Sequence, residues 1–242
     1  MLKIPAFGNT RNVGTDLKAY GFNQVATLLR NSRHLDIRPN MNEIKNRIDN
    51  LPPELDSIAN QLRKYVENNS NINDLVLNVL HRPWVARLNW GIMLYQRADV
   101  NWFVEYTKRT GKEIPKFYMD FLKNINGGFI YNLSLYGLAP SIYNSGQLNR
   151  CILQCHDLTT ANINWIGGYD VDPNLFHFGG RSYTYDENVG YFFDNEKILC
   201  YRKNGELIKK WDTFSQMLSE EIKIVEQKML DDVPKEIDLI IN

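Results

Sequence analysis

From Met41 onward, apolar residues recur at helical spacing, with Ile44, Ile48 and Leu51 four and three positions apart. Pro52-Pro53 interrupts that run. A second helical face follows, carrying Leu55, Ile58, Leu62 and Tyr65 or Val66, and the polar run Asn68-Asn69-Ser70-Asn71 closes it. The apolar stretches 75–80 and 84–95 predict further, more buried helix. Before Met41 the pattern is weak: 8–15 reads as loop and 18–30 as a short helix. Residues 1–97 are therefore expected to form an all-helical N-terminal extension.

The texture changes near Asp99, which can cap a helix running to Thr110, with Gly111 as its C-terminal stop. Ile114-Pro115 leads into a helix that turns Phe117, Tyr118, Phe121, Leu122 and Ile125 inward. Asn126-Gly127-Gly128 ends it, because glycine accepts the left-handed conformation without steric cost. Strand signals take over from there, at 129–138, 151–154, 175–178, 182–185, 189–193 and 198–202. Asn204-Gly205 is the strongest hairpin signal, joining 199–202 to 206–210. Thr213 with Gln216 forms a capping box before a last helix carrying Phe214, Met217, Leu218, Ile222, Val225 and Met229. Helices, then close-spaced antiparallel strands, then a helix make an α+β pattern. The second domain is expected to span 98–242.

Composition adds that the chain can build a real core: 43% of its residues are apolar, with 13 Tyr, 11 Phe and 5 Trp. The N-terminus lacks the apolar run of a secretory signal, and no stretch reaches the ~18 apolar residues of a membrane span. Three cysteines (Cys151, Cys155, Cys200) make no disulfide framework. A cytoplasmic protein is expected. Net charge is zero but unevenly spread: 13 Lys/Arg against 8 Asp/Glu over 1–97 gives +5, and 15 against 20 over 98–242 gives −5. Residues 157–196 carry Asp157, Asp170, Asp172, Asp186, Glu187, Asp194 and Glu196 against Arg181 alone. Such a segment is either a solvated acidic face or a surface that steers a basic partner, and it argues against nucleic acid as the ligand there.

Residues 115–128, Pro-Lys-Phe-Tyr-Met-Asp-Phe-Leu-Lys-Asn-Ile-Asn-Gly-Gly, resemble the signature helix of the SUKH superfamily. That pattern is a proline, an aromatic, an aliphatic pair and Asn-Gly-Gly before the first strand. Gly179-Gly180-Arg181-Ser182-Tyr183-Thr184-Tyr185, Gly190-Tyr191-Phe192-Phe193-Asp194 and Trp211 before an aliphatic helix fit its later blocks. The resemblance covers roughly 98–230, while 1–97 departs from the family's compact form. The family takes in the yeast Smi/Knr cell-wall regulators and many bacterial immunity proteins. It implies a mostly antiparallel mixed sheet flanked by helices, with a groove or open face that holds a protein. It also implies an adaptor rather than an enzyme, and in bacteria an immunity protein that binds a toxin, often a nuclease.

Other chemistry is weakly signalled. Cys151-x-x-x-Cys155-His156, with His177 downstream, lacks the second ligand pair of a structural zinc site. Neither metal nor cofactor is expected. Asp170-Val171-Asp172-Pro173-Asn174 mimics the start of a calcium loop without its Gly or terminal Glu, so a capped turn is expected. Gly167-Gly168 and Gly179-Gly180 lead into no phosphate-loop motif. Asn132-Leu133-Ser134 is a glycosylation acceptor only in a secreted protein. The candidate partner contacts are Trp165, Tyr169, Asp170, Asp172, Asp186, Asp194 and Glu196, which join aromatic anchors to acids that speed association with a basic toxin domain. A regulatory or scaffold adaptor of the Smi/Knr type is the competing reading.

Overall fold

The computed structural model describes residues 41–67, 70–72, 76–82, 85, 89–138, 155–182 and 188–232. Residues 1–40, the strand expected at 151–154, most of that expected at 182–185, Cys151 and Asp186 lie outside them.

Nine strands form one sheet in which every strand pairs antiparallel with the next: β1 Ser70–Ile72, β2 Val76–His81, β3 Trp90–Tyr95, β4 Gly128–Ile130, β5 Leu133–Leu135, β6 Phe176–Arg181, β7 Val189–Phe193, β8 Ile198–Arg202 and β9 Leu207–Trp211. Among the described residues six α-helices accompany it: α1 Met41–Asp49, α2 Asp56–Tyr65, α3 Val100–Thr110, α4 Lys116–Leu122, the short α5 Leu158–Thr160 and α6 Phe214–Asp231. The fold is α+β. No helix among the described residues is long and apolar enough to cross a membrane.

Several local expectations hold, and for the stated reasons. The Asp99 side chain accepts from the Asn101 amide, and Gly111 closes α3 at φ +68°. The Thr213 side chain accepts from the Gln216 amide. Gly205 turns the β8–β9 hairpin at φ +78°, where Asn204 Oδ1 accepts from the Glu206 amide.

The all-helical reading of the N-terminal part needs correction. Among the described residues, helix is confined to 41–65, and the two apolar stretches expected to be buried helix are β2 and β3. A short apolar run buried on both faces carries no period that separates strand from helix. In β2 four consecutive residues, 76–79, are buried. The expected boundary at 97/98 falls between β3 and β4, which pair with each other. The stretch 129–138 also differs from the single strand expected. It folds as the β4–β5 hairpin, with Tyr131 at φ +54°. No local turn signal marks that position. Tertiary bonds hold it: the Tyr131 amide donates to Gly91 O (2.6 Å) and its hydroxyl to Gln61 Oε1 (3.1 Å). The sheet is not mixed either, since the parallel pairing among described residues is an isolated Gly137–Asp157 bridge.

Strand alternation divides the sheet into two unlike faces. Phe176 and Phe178 of β6 point into the main core, where Phe117, Tyr118 and Phe214 meet them. Tyr118 reaches through this layer to donate its hydroxyl to Tyr136 O (2.5 Å) and Phe178 O (2.9 Å). Helices α2, α4 and α6 thus cover one face. Glu226 of α6 ties α2 to it by accepting from Gln61, Lys64 and Tyr65 at 2.9, 2.7 and 2.7 Å. His177, between the two phenylalanines, points to the other face.

Residues on which the family expectation rested serve this scaffold. Gly127 stands at φ +73°, and a Cβ on Gly128 would lie 2.3 Å from Met93 O. Asn126 clamps Leu138 through both backbone atoms (2.8 and 2.7 Å). Arg181 Nε donates to Glu221 Oε2 (2.8 Å), and the Tyr191 hydroxyl donates to the same oxygen. Trp211 Nε1 donates to Glu220 Oε2 (3.0 Å). These bonds fasten α6 to the sheet.

Candidate functional site

Among the described residues, 155–175 cover part of the second face of the sheet. Asp157 starts this cover as an N-cap, buried and accepting from the Thr159 amide (3.2 Å), the Thr160 amide (2.9 Å) and the Thr160 hydroxyl (2.6 Å). After α5 the chain widens into π-helical turns over Ala161–Trp165 and tightens again over Ile166–Gly168. A π-bulge sets its residues off the regular helical face. Asn162 docks it onto β6, donating to Leu158 O and His177 O and accepting from the His177 amide. Ile163, Asn164 and Trp165 are consequently exposed, Ile163 by 49% and Trp165 by 38%. Ile166 returns to pack with Phe192 and Leu199. The result is a ledge that presents an aliphatic and an indole side chain to solvent.

Between ledge and sheet lies a recess of about 590 Å³. Phe129, Ser134 and Gly180 line it from the sheet, and Trp165, Gly168 and Tyr169 from the cover. Its rings form a continuous edge-on network: Tyr136, His156 and Trp165 lie 5.4–5.8 Å apart pairwise, and Phe129 meets His156 at 4.9 Å. His177 stacks on Phe192 (4.4 Å, 18°), and Tyr136 and Tyr169 approach it edge-on. Burial pushes His177 down to about 4, so it is neutral at pH 7 and donates from Nε2 to Gly179 O (3.1 Å). His156 is also lowered by burial, and its Nδ1 shares a hydrogen bond of 3.0 Å with the Ser134 hydroxyl. Ser134 therefore works in the recess as a polar partner of His156; the sequence had marked it only within a glycosylation triplet.

The expected contact residues divide between two places. Trp165 and Tyr169 line the recess, while Asp170 and Asp172 are exposed and do not line it. The Asp170 amide donates to Lys203 O (2.9 Å), which seats this stretch at the β8–β9 turn. Asp194 and Glu196 lie at the opposite end of β8, in the β7–β8 turn, and Asp186 is outside the described residues. Glu196 instead borders a second hollow, of about 790 Å³, floored by Phe117, Phe121, Phe193 and Phe214. The acids are also less available than their number suggests. Asp157 is spent on its cap, Asp172 accepts from the Asn174 amide (2.8 Å), and Asp194 accepts from the Glu196 and Lys197 amides (2.9 and 2.7 Å). Ile163 is the contact candidate the sequence did not single out, because an isolated aliphatic in a helical segment reads as core.

Among the described residues no three His, Cys, Asp or Glu side chains converge on a metal-sized site. Cys155 and Cys200 are buried free thiols, each raised to about 12 by burial, so both are protonated and unreactive at neutral pH. No protein-family model matches the chain, and no curated protein matches it.

Proposed function

We propose that this chain is a non-catalytic protein-binding domain that acts in the cytoplasm as a bacterial immunity protein, neutralising a toxin by direct binding. The ledge is the observation that carries the reading. Ile163 and Trp165 are both exposed on the π-helical bulge, with the exposed acids Asp170 and Asp172 close behind in sequence. Partly exposed aromatic anchors beside charges make a surface that binds by apolar burial and attracts a basic partner. The resemblance of 115–128 and the later blocks to SUKH proteins supports the same class, and the antiparallel sheet with helices on one face suits it.

The adaptor reading draws on the second hollow, which gives the molecule another concave surface away from the ledge. Co-expression of the tagged full chain with each neighbouring reading frame, followed by affinity capture, separates the two. The immunity reading expects one stoichiometric partner, toxic when expressed alone, whose capture drops on Trp165→Ala or Asp170→Lys while melting is unchanged. Partners that are envelope or signalling proteins, with no toxic one among them, would establish the adaptor instead.

A further inference from the structure

The recess behind the ledge holds polar groups that the protein itself leaves unused. Tyr136 is only 7% exposed, yet its hydroxyl makes no hydrogen bond within the protein. It sits beside Gly180, another lining residue, on which a Cβ would stand 3.0 Å from the hydroxyl. A buried hydroxyl without a partner is costly unless water or a ligand supplies one. Asn132, Asn164, Ser182 and Asn188 line the same recess, and none of their side chains bonds within the protein. Each of these groups both donates and accepts. The charges are committed instead. Arg181 gives its Nε to the buried Glu221, Lys203 is engaged within the protein, and no described carboxylate lines the recess. A charged ligand would therefore enter without a free partner for its charge. Phe129, Trp165 and Tyr169 supply aromatic wall, and the volume of about 590 Å³ lies within the range of small-molecule sites.

We propose that this recess binds an uncharged carbohydrate ring, with a C–H face against the indole of Trp165 and its hydroxyls toward Tyr136 and the unused amides. A pyranose matches both halves of the lining. Its C–H groups carry slight positive charge and meet the negative face of an aromatic ring, and burying that face takes apolar surface out of water. Its hydroxyls donate and accept, as the facing amides and hydroxyls do, so both sides are satisfied without an ion. Trp165 suits the platform, because it is 38% exposed while Tyr136 and His156 brace it edge-on. Phosphorylated and acidic sugars are disfavoured by the same lack of a spare cation. The inference does not rest on the toxin reading. Trp165 borders both surfaces, but Tyr136→Phe alters the recess alone, so the two can fail separately.

Saturation-transfer NMR of the full chain tests it against glucose, galactose, mannose, xylose, N-acetylglucosamine and their disaccharides, with glucuronate and N-acetylneuraminate as acidic counterparts. Calorimetry then measures the strongest. At least one neutral sugar is expected to bind with Kd below about 1 mM, and the acidic sugars about tenfold more weakly than the best neutral one. Trp165→Ala should weaken that sugar about tenfold. Tyr136→Phe should weaken it about threefold without lowering the melting temperature, since the hydroxyl it removes has no partner in the free protein. Ile163→Asp, on the ledge but outside the recess lining, should leave the affinity within about twofold. The proposal is overturned if no neutral sugar binds up to about 1 mM. It is overturned equally by an acidic sugar binding more tightly than every neutral one, or by an affinity that Trp165→Ala and Tyr136→Phe both leave unchanged.

Discussion

The two faces of this sheet are built from similar residues to opposite ends. On the helix-covered face, aromatic rings, Tyr191 and Glu221 are buried under α6, with Glu221 only 2% exposed and accepting from Arg181. On the other face the rings of Tyr136, His156, Trp165 and Tyr169 line a recess that solvent reaches. Aromatic content therefore does not distinguish core from site; what covers the rings does. The residues on which the SUKH proposal draws, Asn126-Gly127-Gly128, Arg181, Tyr191 and Trp211, belong to the scaffold. The surface that would meet a partner comes from the bulge at 161–165 and its neighbours.

Breaking the covered face should cost most. Glu221→Ala leaves Arg181 in a nearly closed site without its carboxylate, and a loss of about 3–5 kcal/mol in urea unfolding is expected. A loss under about 1 kcal/mol would mean that the ion pair does not hold α6 down.

The next effect is a pH dependence on the open face. His177 titrates near 4 when buried but at its ordinary 6.5 when unfolded. Between those values the unfolded chain takes up a proton that the folded one refuses. Stability should be flat in this respect above pH 6.5 and fall as pH is lowered toward 4, by at most about 1.4 kcal/mol per pH unit. Unfolding midpoints across that window, compared between the native chain and His177→Gln, isolate the group from other titrations. Equal slopes would show that His177 is not the residue responsible.

A smaller loss, about 1 kcal/mol, is expected for Asp157→Ala, which removes the cap that starts the ledge segment. Partner affinity should fall with it, since the bulge loses its cap; an unchanged thermal melt would show that Asn162, Ile166 and the Asp170–Lys203 bond seat the segment without it.

Least of all, Ile163→Asp should stay within about 0.5 kcal/mol of the native stability, as an exposed position does. It should nonetheless weaken an established protein partner by about 2 kcal/mol, measured by calorimetry. Full affinity in this variant would move the contact surface off the ledge.

Local order was the most legible. The Asp99 and Thr213 caps, the Gly111 stop, the Asn204-Gly205 hairpin and the helices of 100–110, 116–122 and 214–231 depend on chemistry within a few residues. Of the residues around the recess, Trp165 and Tyr169 had been named as contact candidates by residue type, His156 only beside the cysteines, Ser134 only in a glycosylation triplet, and Ile163 not at all. Nor could composition reveal that Asp157, Asp172 and Asp194 bond to nearby amides in caps and turns.

The sequence by itself determined the α+β class, the helix ends and the acidic character of 157–196, because propensity, capping and charge act at short range. Tertiary structure alone decided that 76–81 and 90–95 are strands, since apolar runs buried on both sides adopt whatever pairing their neighbours offer. It alone turned the chain at Tyr131, through bonds that Tyr131 donates to Gly91 and Gln61. And it alone sorted the aromatic residues into core and recess, because whether a ring is sealed depends on which face of the sheet a distant helix covers.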